Sequence, residues 1–146
     1  MPWVGFAGLG VWLACVDAVT GFVPRLVSQV TAGVIAILVV VQAVAEGSTA
    51  PLVRAVVGGA GVWLLFAGLW LLALGAVGFG DVRFSVPWAM TAASASWQHL
   101  VLAVALGSMM ALLFGVVARA RGARDFPYTP GLAAGLFAAA LLALQQ

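Results

Sequence analysis

The sequence predicts an all-α membrane protein, a polytopic bundle of about six transmembrane helices that forms a single domain over residues 1–146. Of the 146 residues, 65% are hydrophobic and 7% are charged, and the mean hydropathy is +1.21. This composition leaves too little polar surface to cover a water-soluble globule of the same size. The apolar stretches approach the roughly 20 residues that one bilayer crossing needs, and no linker divides them.

Polar and helix-breaking clusters separate six apolar segments. The second, third and fifth are long enough to cross a bilayer, whereas the first, fourth and sixth are short and should recruit flanking polar residues. No basic region precedes the first segment and no small-residue cleavage pattern follows it, so we expect it to be retained. The predicted spans are Pro2–Val16, Leu26–Ala45, Leu52–Val77, Ser85–Ala95, Leu100–Ala118 and Gly131–Leu144.

Small residues recur at helical spacing in three of these spans, which predicts close helix packing within lipid. The positions are Gly61, Gly68 and Gly75 in the third span, Gly107, Ala111 and Gly115 in the fifth, and Gly131, Gly135 and Ala139 in the sixth.

The arginines predict an orientation. If six spans alternate, the first, third and fifth loops share one face, and the opposite face holds only Arg54. By the positive-inside rule the arginine-rich face is cytoplasmic, and Asp17 and Asp81 both belong to it. The arginines of this face are Arg25, Arg83, Arg119, Arg121 and Arg124.

Several classes of function are disfavoured. The formal net charge of +2 is too small to indicate a nucleic-acid partner. Cys15 is the single cysteine and His99 the single histidine, which excludes an internal disulfide and a zinc site rich in cysteine. We expect His99 to be a hydrogen-bonded or lipid-facing side chain, and we expect no cofactor or metal.

The two aspartates carry the chemistry. Acidic residues at the edge of apolar spans are costly unless a water-filled site uses them. Two carboxylates that share a proton can activate a water and protonate a peptide carbonyl. Gly78 and Gly80 would let the backbone approach an extended substrate, and Arg83 could hold the ionised acid or pair with lipid phosphate. The structural alternatives are a helix N-cap for Asp81 and an ordinary loop acid for Asp17.

The residues around both acids resemble the motifs of one family. Asp17-x-x-Thr20-Gly21-x-Val23-Pro24 is similar to the first-aspartate motif of the type IV prepilin peptidases. Gly78-Phe79-Gly80-Asp81-Val82-Arg83 looks like their GxGD signature followed by a basic residue. Weaker similarities at Trp97 and at residues 126–135 extend the resemblance over nearly the whole chain. Val23-Pro24-Arg25 departs from the frequent Ile-Pro-Asn of the family.

The resemblance implies a membrane aspartic endopeptidase of the cell membrane, with Asp17 and Asp81 as catalytic residues near the cytoplasmic face. Thr20, Pro24, Gly78, Gly80 and Arg83 would be motif positions close to the substrate. The implied partners are the lipid bilayer and prepilins or pseudopilins whose leader is removed; type IV pilus and secretion system both stay open, as does the oligomeric state. The chain lacks the cysteine-containing segment of larger members that also methylate, so we expect peptidase activity alone.

One alternative belongs to another class of function. A small transporter or assembly subunit would use Asp17 and Asp81 as a proton or cation path. It would need polar residues that continue to the opposite face, and the apolar spans offer no evident second polar step.

Overall fold

The computed structural model describes residues 2–20, 25–72, 78–120 and 129–143, and all secondary structure in these ranges is helical. The predicted all-α fold is confirmed. Helix α1 covers residues 2–20 in three consecutive stretches, an α-helix at Pro2–Gly5, a π-helix at Phe6–Gly10 and an α-helix at Val11–Thr20. The other five helices are α2 (Arg25–Ala45), α3 (Ala50–Leu72), α4 (Phe79–Ala95), α5 (Trp97–Ala120) and α6 (Thr129–Ala143).

Three helices, α2, α3 and α5, are long and apolar enough to cross a membrane, as the sequence predicted and as expected of a membrane protein. Several boundaries differ from the prediction: α5, for example, begins at Trp97 instead of Leu100, and two larger differences involve the aspartates. Helix α4 begins at Phe79 instead of Ser85, and α1 continues to Thr20 instead of ending at Val16. Asp17 and Asp81 therefore both lie within helices, and the interpretation of Asp17 as a loop acid is wrong.

Helix α4 is the centre of the bundle and contacts all five other helices. Trp88 is fully buried, and its Nε1 donates a hydrogen bond of 2.7 Å to the carbonyl oxygen of Leu132 in α6. On the α3 side, small residues allow close approach: a Cβ on Gly58 would lie 2.6 Å from that of Ala93, and one on Gly59 would lie 2.9 Å from Cγ of Met90. Close packing without large side chains is how helices associate within lipid.

Helices α5 and α6 pack backbone against backbone. A Cβ on Gly131 would lie 2.5 Å from the backbone of Ala111, and one on Gly135 would overlap the backbone of Gly107. The small-residue spacing of these two helices thus marks a real interface. In α3 the corresponding prediction is wrong, because Gly61 and Gly68 have open space around them; Gly75 lies outside the described residues.

Side-chain contacts fix the direction of the helices. Trp3 meets His99 with ring centroids 6.1 Å apart, which brings the start of α1 to the start of α5. Arg54, near the start of α3, bonds the carbonyl oxygens of Ala93 and Ser94 at the end of α4. The opposite end of the bundle therefore holds the end of α1 with Asp17 and the start of α4 with Asp81. We call it the aspartate end.

Candidate functional site

Asp81 occupies the first turn of α4 and points into the bundle. The N-cap of the helix is Gly78, with φ −65° and ψ 138°. The backbone N–H of Asp81 donates a hydrogen bond of 3.0 Å to the carbonyl oxygen of Gly78. Asp81 is thus the third residue of the helix, and its interpretation as the N-cap is wrong. The side chain is 4% exposed. A carboxylate at a helix N-terminus is favoured by the helix dipole, which offsets part of the cost of burial.

Gly78 lies directly against this carboxylate. A Cβ on Gly78 would be 3.2 Å from Oδ2 of Asp81, closer than ordinary van der Waals contact. Gly80, in the same turn, is partly buried. The first glycine of the Gly78-x-Gly80-Asp81 sequence therefore leaves space that any other residue would fill.

Arg83 has a partner that the sequence did not indicate. Its Cζ lies 4.6 Å from the centroid of the Phe79 ring, within the range of a cation–π interaction. Trp70, near the end of α3, meets the same ring at 5.1 Å in an edge-on arrangement. The basic residue after the aspartate is thus directed towards an aromatic pair between α3 and α4.

Asp17 lies in the last turn of α1, in the stretch Val11–Thr20, at the same end of the bundle as Asp81. This stretch and α6 border a cavity of about 240 Å³, and Ala14, Cys15 and Pro130 are among the residues that line it. The side chains of Asp17 and Thr20, and the whole of Pro24, lie outside the described residues. The pairing of the two carboxylates thus stays a prediction, although the helices that carry them reach the same end.

A π-helix precedes Asp17, and sequence reasoning missed it. The ring of Phe6, its first residue, is fully buried and packs on Phe84 of α4 at 5.7 Å and on Phe137 of α6 at 6.1 Å. Gly10 allows this arrangement, because a Cβ there would lie 2.7 Å from the Phe6 ring. Such single-turn π segments are frequent at functional sites. The glycines at 5, 8 and 10 were the available signal.

Hydroxyl side chains continue along α4 beyond Asp81. Ser85, Thr91 and Ser94 are all fully buried. Each donates a 2.8 Å hydrogen bond to a carbonyl oxygen of its own helix, which is how buried hydroxyls are usually satisfied. Hydroxyls are therefore buried in this span beyond Asp81, each satisfied within its own helix, and the expectation that the spans offer no second polar step stays a prediction. At about 100° per residue, Ser85 is on nearly the same side of α4 as Asp81, whereas Thr91 and Ser94 are on other sides.

The remaining polar residues of interest lie at the opposite end. Ser96 is the residue before α5; its Oγ lies 2.7 Å from Nδ1 of His99 and accepts a hydrogen bond from the His99 backbone N–H at 3.2 Å. This is the geometry of a helix N-cap. Exposed Glu46 accepts a 2.8 Å hydrogen bond from Nε2 of Gln42. Ser96, His99 and Glu46 therefore lie at the end of the bundle opposite Asp81.

No protein-family model, curated protein or solved structure matches this chain.

Proposed function

We propose that this protein is a membrane aspartic endopeptidase that cleaves the leader from prepilins or pseudopilins at the cytoplasmic face of the cell membrane, with Asp17 and Asp81 as its catalytic pair. The proposal rests on the resemblance of both acid motifs to the type IV prepilin peptidases. The observation that carries it is the burial of Asp81 against Gly78 in the first turn of α4. An aspartate that served only solubility would point outwards from a helix end.

In the proposed mechanism one carboxylate is ionised and the other protonated. The ionised carboxylate takes a proton from a water whose oxygen attacks the peptide carbonyl carbon, and the protonated one donates to the carbonyl oxygen. Collapse of the tetrahedral intermediate breaks the C–N bond, and a carboxyl proton passes to the leaving amine. The helix-end position of both acids suits this reaction, because water reaches the edge of a membrane more easily than its centre.

A second candidate is favoured by one observation, the buried hydroxyls that follow Asp81 along α4. A transporter would use Asp17 and Asp81 to admit a proton or cation, and Ser85, Thr91 and Ser94 to pass it on. Each of these hydroxyls already donates to a carbonyl of its own helix, and they lie on different sides of α4, so they would pass a proton on only through intervening water. We therefore rank the peptidase first.

The test is cleavage in cells that express this protein together with prepilin-like substrates carrying short basic leaders. The native protein should shorten the substrate, and Asp17→Asn and Asp81→Asn should each abolish the shortening while the variants still insert in the membrane. Glu46→Gln, at an exposed carboxylate of the α2–α3 turn, is the matched control and should cleave normally.

The same strains separate the two candidates. Thr91→Val and Ser94→Ala remove two of the buried hydroxyls that a transporter would use and should leave cleavage intact. Cleavage by either asparagine variant would contradict the catalytic pair. Absence of cleavage, together with proton uptake that Thr91→Val abolishes in reconstituted vesicles, would favour the transporter.

A further inference from the structure

The first turn of α4 carries an aromatic and cationic contact on the side opposite Asp81. Phe79 and Arg83 are four residues apart and so share one side of the helix. Asp81 lies two residues from each, which at about 100° per residue turns it roughly 200° away from Phe79. Arg83 covers the Phe79 ring at 4.6 Å and Trp70 meets it at 5.1 Å. We call these three side chains the Phe79 clamp.

The backbone of this turn needs a side-chain anchor. Phe79 stands between Gly78 and Gly80, and glycine restricts backbone rotation less than any other residue. Val82 and Phe84 are fully buried and hold the helix just after Asp81, so the residues before it, 78–80, depend on the Phe79 contacts, and unwinding there would shift the Asp81 carboxylate. The Phe79 ring is 41% exposed, so its hydrophobic burial alone is a weak restraint. The contacts of the Phe79 ring with Trp70 and Arg83 depend on the orientation of the ring and therefore restrain its direction.

We propose that Trp70, Phe79 and Arg83 are positioning residues that fix the rotation of the first turn of α4 and so aim the Asp81 carboxylate into the bundle. Arg83 acts through the Phe79 ring and not on the reacting atoms. The predicted effect on cleavage rests on the proposed function, whereas the effect on the orientation of residue 81 does not.

The first experiment measures kinetics of leader cleavage. Phe79→Ala should lower kcat roughly tenfold, the order expected from losing both ring contacts, and should leave KM within about twofold because the substrate-binding surface is retained. Phe79→Tyr keeps both contacts and should restore kcat. Arg83→Gln should lower kcat less, and combining it with Phe79→Ala should add little, because the two residues form one contact. Phe114→Ala removes a similarly exposed ring, 42%, from α5 and should be neutral.

The second experiment needs no activity. In a Cys15→Ala background, which removes the single cysteine, Asp81→Cys and Ser94→Cys each introduce one buried thiol near opposite ends of α4. Adding Phe79→Ala should raise the rate of N-ethylmaleimide labelling at position 81 at least fivefold and leave position 94 unchanged. Phe79→Tyr should leave both rates unchanged.

The outcomes separate the two proposals. Increased labelling at position 81 alone supports the clamp even if the native protein cleaves no substrate, in which case only the proposed function fails. If the native protein cleaves and Phe79→Ala alters neither kcat nor labelling, the clamp is refuted. Equal increases at positions 81 and 94 would also refute it, because they would show general loosening of the bundle instead of local rotation.

Discussion

Replacing Gly78 with alanine is the smallest change that disturbs the Asp81 carboxylate. The N-cap conformation of Gly78, with φ −65° and ψ 138°, is open to alanine, so the backbone itself is not strained. Loss of glycine at an N-cap should cost about 1 kcal/mol or less. The protein should therefore fold and insert normally.

The new methyl group would act on the carboxylate. It would lie 3.2 Å from Oδ2 of Asp81, where ordinary contacts begin at 3.4 Å, so the carboxylate must move by a few tenths of an ångström. A displacement of 1 Å at a catalytic group costs roughly 100-fold in rate. We therefore expect Gly78→Ala to lower kcat for leader cleavage about three- to tenfold, and the larger side chain of Gly78→Leu to abolish cleavage.

The assay is initial-rate cleavage of a prepilin-like substrate by purified protein in detergent, with thermal unfolding measured on the same samples. Gly61→Ala is the matched control, since nothing lies within 4 Å of a Cβ there. It should leave kcat unchanged and stabilise α3 by up to about 1 kcal/mol. A wild-type rate for Gly78→Ala would refute the inferred contact between this position and a catalytic carboxylate.

Three further predictions concern packing, orientation and chemistry. Gly135→Ala should force α5 and α6 apart and lower the free energy of unfolding by about 1–3 kcal/mol, whereas Gly33→Ala, with open space around it, should not; an unchanged melting temperature for Gly135→Ala would contradict the backbone contact. In a Cys15→Ala background, an impermeant thiol reagent applied to intact cells should label the protein with Ser48→Cys, in the α2–α3 turn, but not the one with Ala120→Cys, at the aspartate end, and the reverse pattern would overturn the predicted orientation. Cleavage should survive chelators and serine-directed reagents and should fall as rising pH ionises both carboxylates; loss on chelation that a divalent ion restores would instead make Asp17 and Asp81 metal ligands.

The presence of the three helices that could cross a membrane was predictable, whereas the start of α4 was not. The apolar runs of α2, α3 and α5 are long and uninterrupted, so length alone identifies them. The residues 78–84 contain two glycines and two charges, a composition typical of a loop. The structure continues α4 through them because Gly78 provides the N-cap, Asp81 is favoured by the helix dipole and neighbouring helices bury Val82 and Phe84. The cap and the first-turn acid are local signals, but the burial is a tertiary term that a local pattern does not contain.

The spacing of glycines identified a helix interface only where a second helix carried a matching row of small residues. In α5 and α6 both helices carry small residues every fourth position, and the two stripes meet at Gly107 and Gly135. In α3 the seven-residue repeat of Gly61 and Gly68 faces open space, while the adjacent pair Gly58 and Gly59 receives α4. Spacing defines one side of a helix, but the side that becomes an interface depends on which neighbour has a matching surface.

The position of Asp81 follows from a reversal of the packing logic of soluble proteins. In water the most apolar helix is buried, whereas lipid solvates apolar side chains as well as a protein core does and gives them no reason to be central. Polar groups are the costly ones in lipid. Helix α4 carries Asp81 and three buried hydroxyls and is surrounded by the other five helices, while α2, α3 and α5 expose valine and leucine side chains. The same requirement that keeps the aspartate away from lipid therefore places it inside the bundle, near the end where α1 brings Asp17.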